Sequence, residues 1–154
     1  MNETLTKFVD MPFGDQYGPY LSGPFAPTNT EVTLVSFDGA GQMEGEIPKE
    51  LNGVYLRNGP NPRFAPLGRY HAFDGDGMLH AAYFNNGKLQ YRNRWIRTHA
   101  WEQEDAAGAS LYRGIMDTLK GRDDQPLKNS ANTDIVGHAG KAVGEGGQLG
   151  AVGY

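Results

Sequence analysis

Two histidines lie on either side of a run of turn-forming residues. His71 precedes the run Asp74-Gly75-Asp76-Gly77, and His80 follows it. If that run is a four-residue loop between two strands, His71 faces His80 across a hairpin, with Cβ atoms about 4.5–5.5 Å apart. Two imidazoles at that distance can share a metal ion, but no third histidine or carboxylate has a fixed spacing to them. We therefore interpret them as paired structural histidines.

The Asp74-Gly75-Asp76-Gly77 run also shares a fragment of a calcium-loop pattern. Such a loop needs several oxygen ligands and a glutamate about twelve positions from its start. Asn85 occupies that position, and the next acidic residue is Glu102. Aspartate bonds nearby backbone amides and glycine accepts positive φ, so both residue types are common in turns. The run therefore predicts a turn and not a calcium site.

The run Arg57-Asn58-Gly59-Pro60-Asn61-Pro62 contains an arginine that could bind an anion. No helix N-terminus follows it that would direct backbone amides at a phosphate. We therefore predict a structural motif made of Arg57, Asn58, Gly59 and Pro60, with Arg57 buried against loop carbonyls. His138, which precedes an Ala-Gly step, is interpreted as a capping or surface residue.

The elements that must position these side chains are predicted to be strands. Residues 70–73, 78–84 and 89–98 are predicted to form an antiparallel meander with turns at 74–77 and 85–88, because Asp-Gly and Asn-Gly steps favour hairpins. Leu89, Tyr91, Asn93 and Trp95 then share one face of the last strand.

The rest of the chain is predicted to be one partial domain. Residues 1–30 form an extended leader, 31–98 strands and hairpins, 99–129 a helical or loop insertion, and 130–154 a strand and a glycine-rich tail. Further strands are expected at 31–37 and 43–47. Residues 101–107 predict one or two helical turns that end at Gly108, and Ser110 is the expected N-cap of a helix over 111–120.

Composition excludes several kinds of protein. The 154 residues carry 14 Lys and Arg against 18 Asp and Glu, so no basic surface for nucleic acid is expected. The absence of cysteine excludes disulfides and thiolate metal sites. The N-terminal sequence lacks the pattern of a signal peptide, and no apolar run is long enough to span a membrane. We expect a soluble, cytoplasmic protein.

Five stretches of the chain resemble the carotenoid cleavage oxygenases. They are GPYLSGPFAP (18–27), LNGVYLRNGPNP (51–62), YHAFDGDGMLH (70–80), YRNRWIRT (91–98) and SANTDIVGHAGKAV (130–143). The resemblance implies an all-β fold, a seven-bladed β-propeller, and the activity of a nonheme-iron dioxygenase. Because a propeller blade takes about 40 residues, seven blades do not fit this length. We therefore expect an N-terminal portion of a longer enzyme, with antiparallel meander strands and one short helix.

The same resemblance has implications for site residues. The family's four iron-binding histidines come later in the sequence and His138 matches none of them, so no catalytic or metal-binding residue is expected in this chain. Glu145 is the candidate for a carboxylate that accepts the ring N–H of an iron-binding histidine. A stilbene-cleaving branch has a tyrosine and a lysine that grip the phenol. Here those positions hold Ile115 and Gly144, which favours a polyene substrate.

The expected function is therefore that of a fragment. The full-length enzyme would use Fe(II) and dioxygen to cleave a C=C bond of a carotenoid or apocarotenoid, an apolar conjugated substrate, with a hydroxystilbene as the alternative. The chain alone is expected to bind no iron and to be inactive. Peripheral membrane contact stays open. The competing hypothesis is a noncatalytic small β-sheet module that binds a partner through open edge strands.

Overall fold

A computed structural model describes residues 20–38, 41–115, 128–138 and 141–144 of the chain. In these residues a short 3-10 turn at Gly23–Phe25 precedes six strands and one α-helix. They are β1 (Val35–Ser36), β2 (Gly53–Pro60), β3 (Gly77–Asn85), β4 (Lys88–Trp95), α1 (His99–Ala107), β5 (Ile135–His138) and β6 (Lys141–Gly144). In this described part of the chain no helix is long and apolar enough to cross a bilayer.

The strands form two antiparallel sheets. The larger sheet has four strands in the order β1-β4-β3-β2, and β5 pairs with β6 in a smaller one. The segment just before the short β1 also runs along β4, since Asn93 N–H donates to the carbonyl of Val32 at 3.2 Å. The prediction of an all-β fold with antiparallel strands and one short helix is confirmed.

The hairpin between β3 and β4 has the predicted turn. Asn85 pairs with Lys88, which leaves Asn86 and Gly87 as the two loop residues. Their φ angles are 47° and 77°. Two successive positive φ angles match the right-handed twist of the flanking strands, and asparagine and glycine adopt them at low cost. The prediction of a hairpin here is confirmed.

The predicted hairpin around residues 74–77 is wrong. The partner of β3 is β2, which is paired from Gly53 opposite Phe84 to Pro60 opposite Gly77. Residues 70–73 are not a strand but part of the connection from β2 to β3. His71 therefore does not face His80, whose partner on β2 is Arg57. The turn was predicted from local residue types, whereas Gly77 is held by a distant group, the carbonyl of Ser130, at 2.7 Å from its N–H.

The two N-terminal strand predictions have different outcomes. The strand expected at 31–37 is confirmed only at Val35–Ser36. The strand expected at 43–47 is wrong, because these residues pair with no strand of the described chain and the chain bends at Glu44 and Gly45. Gly45 has a φ of 85°, which interrupts an extended run, and the Met43 side chain is exposed.

The helix prediction at 101–107 is confirmed, with an earlier start. Helix α1 begins after Thr98, whose side-chain hydroxyl accepts a hydrogen bond from Trp101 N–H, and ends at Gly108, with a φ of 68°. The helix expected at 111–120 is wrong over its described part, because residues 111–115 are not helical. Glu104 accepts hydrogen bonds from Leu111 N–H and Tyr112 N–H, so these amides are directed back at α1. Residues 116–120 lie outside the described residues.

The larger sheet buries apolar residues on both of its faces. On one face, Met78 and Trp95 pack with Trp101 of α1. On the other, Leu79 packs with Ile96 and Ala131, and Ile135 of β5 lies against them. The smaller sheet therefore lies on the second face, while the leader and α1 cover one end of the first.

Candidate functional site

A buried cluster of three charged side chains lies where the loop before β3, α1 and the segment before β5 meet. The Lys128 ammonium lies 2.6 Å from Asp76 Oδ1 and 2.5 Å from Glu104 Oε2. Asp76 is 2 % exposed and Glu104 is 1 % exposed. Buried charges are tolerated when they are paired and hydrogen-bonded, so one ammonium between two carboxylates is a structural link between the loop, α1 and the segment before β5.

Backbone amides satisfy the remaining carboxylate oxygens. Asp76 Oδ2 accepts from Arg63 N–H at 3.0 Å, and Glu104 Oε1 accepts from Leu111 N–H at 2.9 Å. Burial raises the pKa of the Asp76 carboxyl above its usual value, and the Lys128 ammonium opposes that rise. The three charged groups therefore hold the loop before β3, α1 and the segment before β5 together.

In the loop before β3, the Asp74 carboxylate accepts two further backbone hydrogen bonds beside this cluster. Asp74 Oδ2 accepts from His71 N–H at 2.8 Å, and Asp74 Oδ1 accepts from Ile115 N–H at 2.9 Å. Burial raises the pKa of the Tyr70 hydroxyl, and the neighbouring carboxylates of Asp74 and Asp76 raise it further. The prediction that aspartates in this run bond nearby backbone amides is correct for Asp74, but Asp76 reaches across the fold.

Two cavities border these residues. One of about 100 Å³ lies between the loop and α1, where Asp74, Asp76 and Lys128 reach its wall. The other, of about 270 Å³, has Arg57 and His80 on one side and the rings of Tyr20 and Phe25 on the other. The second cavity is the larger of the two and is lined by both polar and aromatic side chains.

His80 is held in the neutral state on the wall of the second cavity. Its Nδ1 lies 2.6 Å from the Tyr91 hydroxyl. Burial lowers the pKa of His80, and the positive charge of Arg57 lowers it further. A neutral imidazole with one nitrogen bound to a phenol has a single nitrogen left for another contact.

The described residues do not fit an iron site. His71 Nδ1 accepts a hydrogen bond from Phe73 N–H at 3.2 Å, and His80 Nδ1 is bound to Tyr91. Within residues 20–38, 41–115, 128–138 and 141–144, no three His, Asp or Glu side chains are grouped as metal ligands. The two histidines are therefore separate structural residues, and the interpretation of them as a pair is wrong.

The predicted motif at residues 57–60 lies on β2. Arg57 is exposed, so the prediction that it is buried against loop carbonyls is wrong. Its guanidinium lies over Gly59, where an added Cβ would be 3.5 Å from Nη2. Asn58 Nδ2 donates to the carbonyls of Ala131 and Asp134, so this side chain fixes the segment that leads into β5. Pro60 ends the strand.

Asparagine side chains that the sequence analysis missed hold the loops on the sheet. Asn93 Oδ1 accepts from Val32 N–H at 2.5 Å, and its Nδ2 donates to the carbonyl of Thr30 at 3.2 Å. Asn132 Nδ2 donates to the carbonyls of Phe73 and Gly75. Asn93 is 1 % exposed in the middle of β4. A buried asparagine within a strand is unusual for its type, and that is the signal that could have identified it.

The remaining candidate residues lie at the end of the described chain. His138 ends β5, and Gly144 ends β6. Glu145 lies outside the described residues. The Ile115 side chain is 55 % exposed at the border of the smaller cavity.

Comparison with known proteins identifies the family. Residues 25–148 match the family described as retinal pigment epithelial membrane protein. The chain is 37 % identical over 123 residues to the probable carotenoid cleavage dioxygenase 4, chloroplastic, of Arabidopsis thaliana, which covers 79 % of this chain and 20 % of that protein.

Two solved structures have the same fold. Lignostilbene dioxygenase of Pseudomonas brassicacearum superimposes with a TM-score of 0.66 at 25 % identity, covering 88 % of this chain and 26 % of that one. Cobalt-substituted apocarotenoid oxygenase of Synechocystis has a TM-score of 0.65 at 31 % identity, covering 77 % and 26 %. The chain thus spans between a fifth and about a quarter of these proteins. With the family match over residues 25–148, these similarities show that the chain belongs to the carotenoid cleavage oxygenase family.

Proposed function

We propose that this chain is the N-terminal part of an Fe(II)-dependent dioxygenase that cleaves a C=C bond of a carotenoid or apocarotenoid. In that reaction the two atoms of dioxygen end up on the two carbons of the broken bond, which gives two carbonyl products. The family membership supports an oxygenase, and the dioxygenase names of the relatives support this reaction class.

The structural observation that supports the proposal is the four-stranded antiparallel sheet, which has a second sheet on one face. A β-propeller consists of four-stranded antiparallel blades around a central channel. β1 to β4 would form one blade, and β5 and β6 would begin the next. In this proposal the full-length enzyme has seven blades, and the chain is one partial domain of it.

The role of the described residues in this proposal is to build and join blades. The ion cluster of Asp76, Glu104 and Lys128 fixes the segment before β5. Asn58 holds the same segment from the other side. The iron ligands would come from other parts of the full-length enzyme, and the family structures include one with a substituted metal. We infer that the chain alone binds no iron and is inactive.

A polyene substrate is favoured over a hydroxystilbene by one residue of the described chain. Ile115, which has no group that can hydrogen-bond a phenol, borders the cavity beside α1. Glu145 is proposed as the carboxylate that orients an iron-binding histidine. The similarity to a lignostilbene dioxygenase keeps the hydroxystilbene as the alternative substrate.

A transplant experiment tests the proposed function. The purified chain and a chimera, in which residues 25–148 replace the matching segment of the Synechocystis apocarotenoid oxygenase, are each incubated with Fe(II), dioxygen and an apocarotenoid. The unmodified Synechocystis enzyme is the positive control. We expect two carbonyl products from the chimera and none from the chain alone. Sustained product formation by the chain alone, or a folded chimera that forms no product, would contradict the proposal.

The second candidate is a noncatalytic β-sheet module, favoured by the open edge of β2. Tyr55 on that strand is 63 % exposed, and an exposed strand edge can pair with an extended peptide. A free-standing module is expected to be monomeric in size-exclusion chromatography. A blade without its neighbours is expected to self-associate through its unpaired edges.

A further inference from the structure

Three asparagines of the chain, Asn52, Asn58 and Asn86, are each followed by glycine. At such a step the backbone nitrogen of the glycine can attack the carbonyl carbon of the asparagine side chain. Glycine hinders this attack least, because it has no side chain and its backbone adopts many conformations. The local chemistry of the three steps is the same, so the fold decides which of them is free to react.

Two of the three side-chain amides are held in hydrogen bonds. Asn52 Nδ2 donates to two backbone carbonyls of the loop before β2, at 3.0 Å and 3.1 Å, and its Oδ1 accepts from Asn86 N–H at 2.9 Å. Asn58 Nδ2 donates to two carbonyls of the segment before β5. Asn58 also lies within β2, where pairing with β3 fixes its backbone. Reaction at either residue would break these bonds.

Asn86 differs from both. It is exposed in the two-residue turn between β3 and β4. Among the residues that the structure describes, neither the Asn86 side-chain amide nor Gly87 N–H has a hydrogen-bond partner. Opening of an exposed turn costs less free energy than opening of a paired strand, so the Gly87 nitrogen can reach the Asn86 side chain. The bond from Asn86 N–H to Asn52 opposes this opening.

We propose that Asn86 is a site of spontaneous deamidation, that the other two Asn-Gly steps are protected, and that Asn52 slows the reaction. The backbone nitrogen of Gly87 forms a bond to Asn86 Cγ, and the Cγ–Nδ2 bond breaks. The proton of Gly87 N–H is lost to solvent, and the side-chain nitrogen takes up a proton and leaves as ammonia. Water then opens the cyclic imide at either carbonyl, which gives an aspartate or an isoaspartate. No atom is oxidised or reduced.

The two products have different effects on the hairpin. Aspartate tolerates the positive φ that this position has, so the turn is kept and gains a negative charge. Isoaspartate leads the backbone through its side-chain carbon and adds one atom to a two-residue loop. The turn then no longer matches the flanking strands, and the pairing of Asn85 with Lys88 is expected to weaken.

Peptide mapping tests the proposal. The 154-residue chain is incubated at mildly alkaline pH in buffer and in urea, until most of Asn86 in the urea sample has reacted. Trypsin then places the three steps in separate peptides, which are residues 50–57, 58–63 and 70–88. Mass spectrometry measures the conversion of amide to acid in each peptide, and fragment ions distinguish Asn86 from Asn85.

The urea sample is the control for local chemistry. In buffer we expect Asn86 to react at least about tenfold faster than Asn52 or Asn58, because only the turn opens at low cost. In urea we expect all three to react at similar rates, since the bonds that hold Asn52 and Asn58 are lost.

Substitution tests the role of Asn52. Asn52→Ala removes the acceptor of Asn86 N–H, and it should speed conversion of Asn86 in buffer by about two- to tenfold, the range that corresponds to one hydrogen bond. Gln90→Ala is the control, because it removes a side-chain hydrogen bond to Ser36 on the same hairpin but away from the turn. This control should leave the rate unchanged, and neither substitution should change the rate in urea.

Three results would overturn the proposal or one part of it. Conversion of Asn52 or Asn58 in buffer as fast as that of Asn86 would overturn the selectivity. An Asn86 that reacts in urea but stays intact in buffer would overturn the site, since the turn would then protect it. An Asn52→Ala variant that reacts no faster than the unsubstituted chain would overturn the role given to Asn52. The inference does not depend on the proposed function, because it concerns one hairpin of this chain.

Discussion

The side-chain amide of Asn61 makes two hydrogen bonds with the backbone of Thr28. Oδ1 accepts from Thr28 N–H at 2.7 Å, and Nδ2 donates to the Thr28 carbonyl at 2.8 Å. The side-chain amide thereby gives the Thr28 backbone the two hydrogen bonds that a neighbouring strand would otherwise provide. Thr28 lies 33 positions earlier in the sequence, so this contact holds the leader on the sheet.

Asn61→Ala is expected to destabilise the fold by about 1–3 kcal/mol, because it leaves the Thr28 backbone groups without partners. Urea unfolding measures the loss, and hydrogen exchange at the Thr28 amide should become faster. Asn52 is the matched control, since its side chain also bonds backbone carbonyls but is exposed. Equal losses for Asn61→Ala and Asn52→Ala would contradict the role given to Asn61.

Lys128→Met is expected to cost about 3–5 kcal/mol at neutral pH, because it leaves two buried carboxylates without a cation. Lys88→Met, which removes an exposed lysine at the start of β4, is the control and should cost little. Urea unfolding at neutral pH compares the two variants. A loss for Lys128→Met as small as that of the control would show that the ion cluster does not hold the fold together.

The same substitution is expected to change the pH dependence of stability. The pKa of Asp76 is raised above 3.8 in the folded chain, mainly by burial. The folded state then binds this proton more tightly than the unfolded state, so the free energy of unfolding decreases as pH rises above that value. Lys128→Met removes the charge that opposes the rise, so the decrease as pH rises above 3.8 should become larger. An unchanged slope in urea unfolding would contradict this.

Gly77→Ala is expected to cost about 1–3 kcal/mol through overpacking. A Cβ there would lie 2.9 Å from the Ala131 carbonyl carbon and 3.0 Å from Ser130 O, and it would push away the segment before β5. The hydrogen bond from Gly77 N–H to Ser130 should weaken, which hydrogen exchange detects. Gly137→Ala is the control, because nothing lies within 4 Å of its added Cβ. Equal tolerance of both substitutions would disprove the close approach.

NMR titration of His80 is expected to give a pKa below 6.5. Arg57→Gln should raise this pKa only partway, because burial is the larger cause and the Arg57 charge the smaller. Since the unfolded chain takes up this proton first, His80 should reduce stability as pH falls below about 6.5. Arg69→Gln is the control and should leave the titration unchanged. An unchanged His80 pKa in Arg57→Gln would show that the Arg57 charge does not act on the His80 ring.

The parts of the fold that depend on neighbouring residues could be predicted. The turn at Asn86-Gly87 requires positive φ angles, which its residue types reveal, and Gly108 marks the end of α1 for the same reason. The same reasoning failed at residues 74–77, because Asp76 is fixed by Lys128, which lies far away in the sequence. Local turn chemistry cannot indicate a partner beyond its own neighbourhood.

The candidate site could likewise be predicted only in part from the sequence. The resemblance correctly identified the family, whereas the surroundings of individual residues were missed. Arg57 was expected to be buried against loop carbonyls, but its strand lies at an edge of the sheet. The anchoring roles of Asn58, Asn61 and Asn93 follow from contacts over 30 or more positions, which no short pattern contains.

The position of β1 beside β4 has a consequence for synthesis on the ribosome. The hydrogen-bonded strands of the larger sheet all lie between residues 35 and 95 of the described chain, so this sheet can be assembled once Trp95 has emerged. Until α1 has followed, Met78 and Trp95 of this sheet would lack the cover of Trp101. Chaperones bind surfaces of this kind during translation, and the nascent chain at this stage should be their substrate.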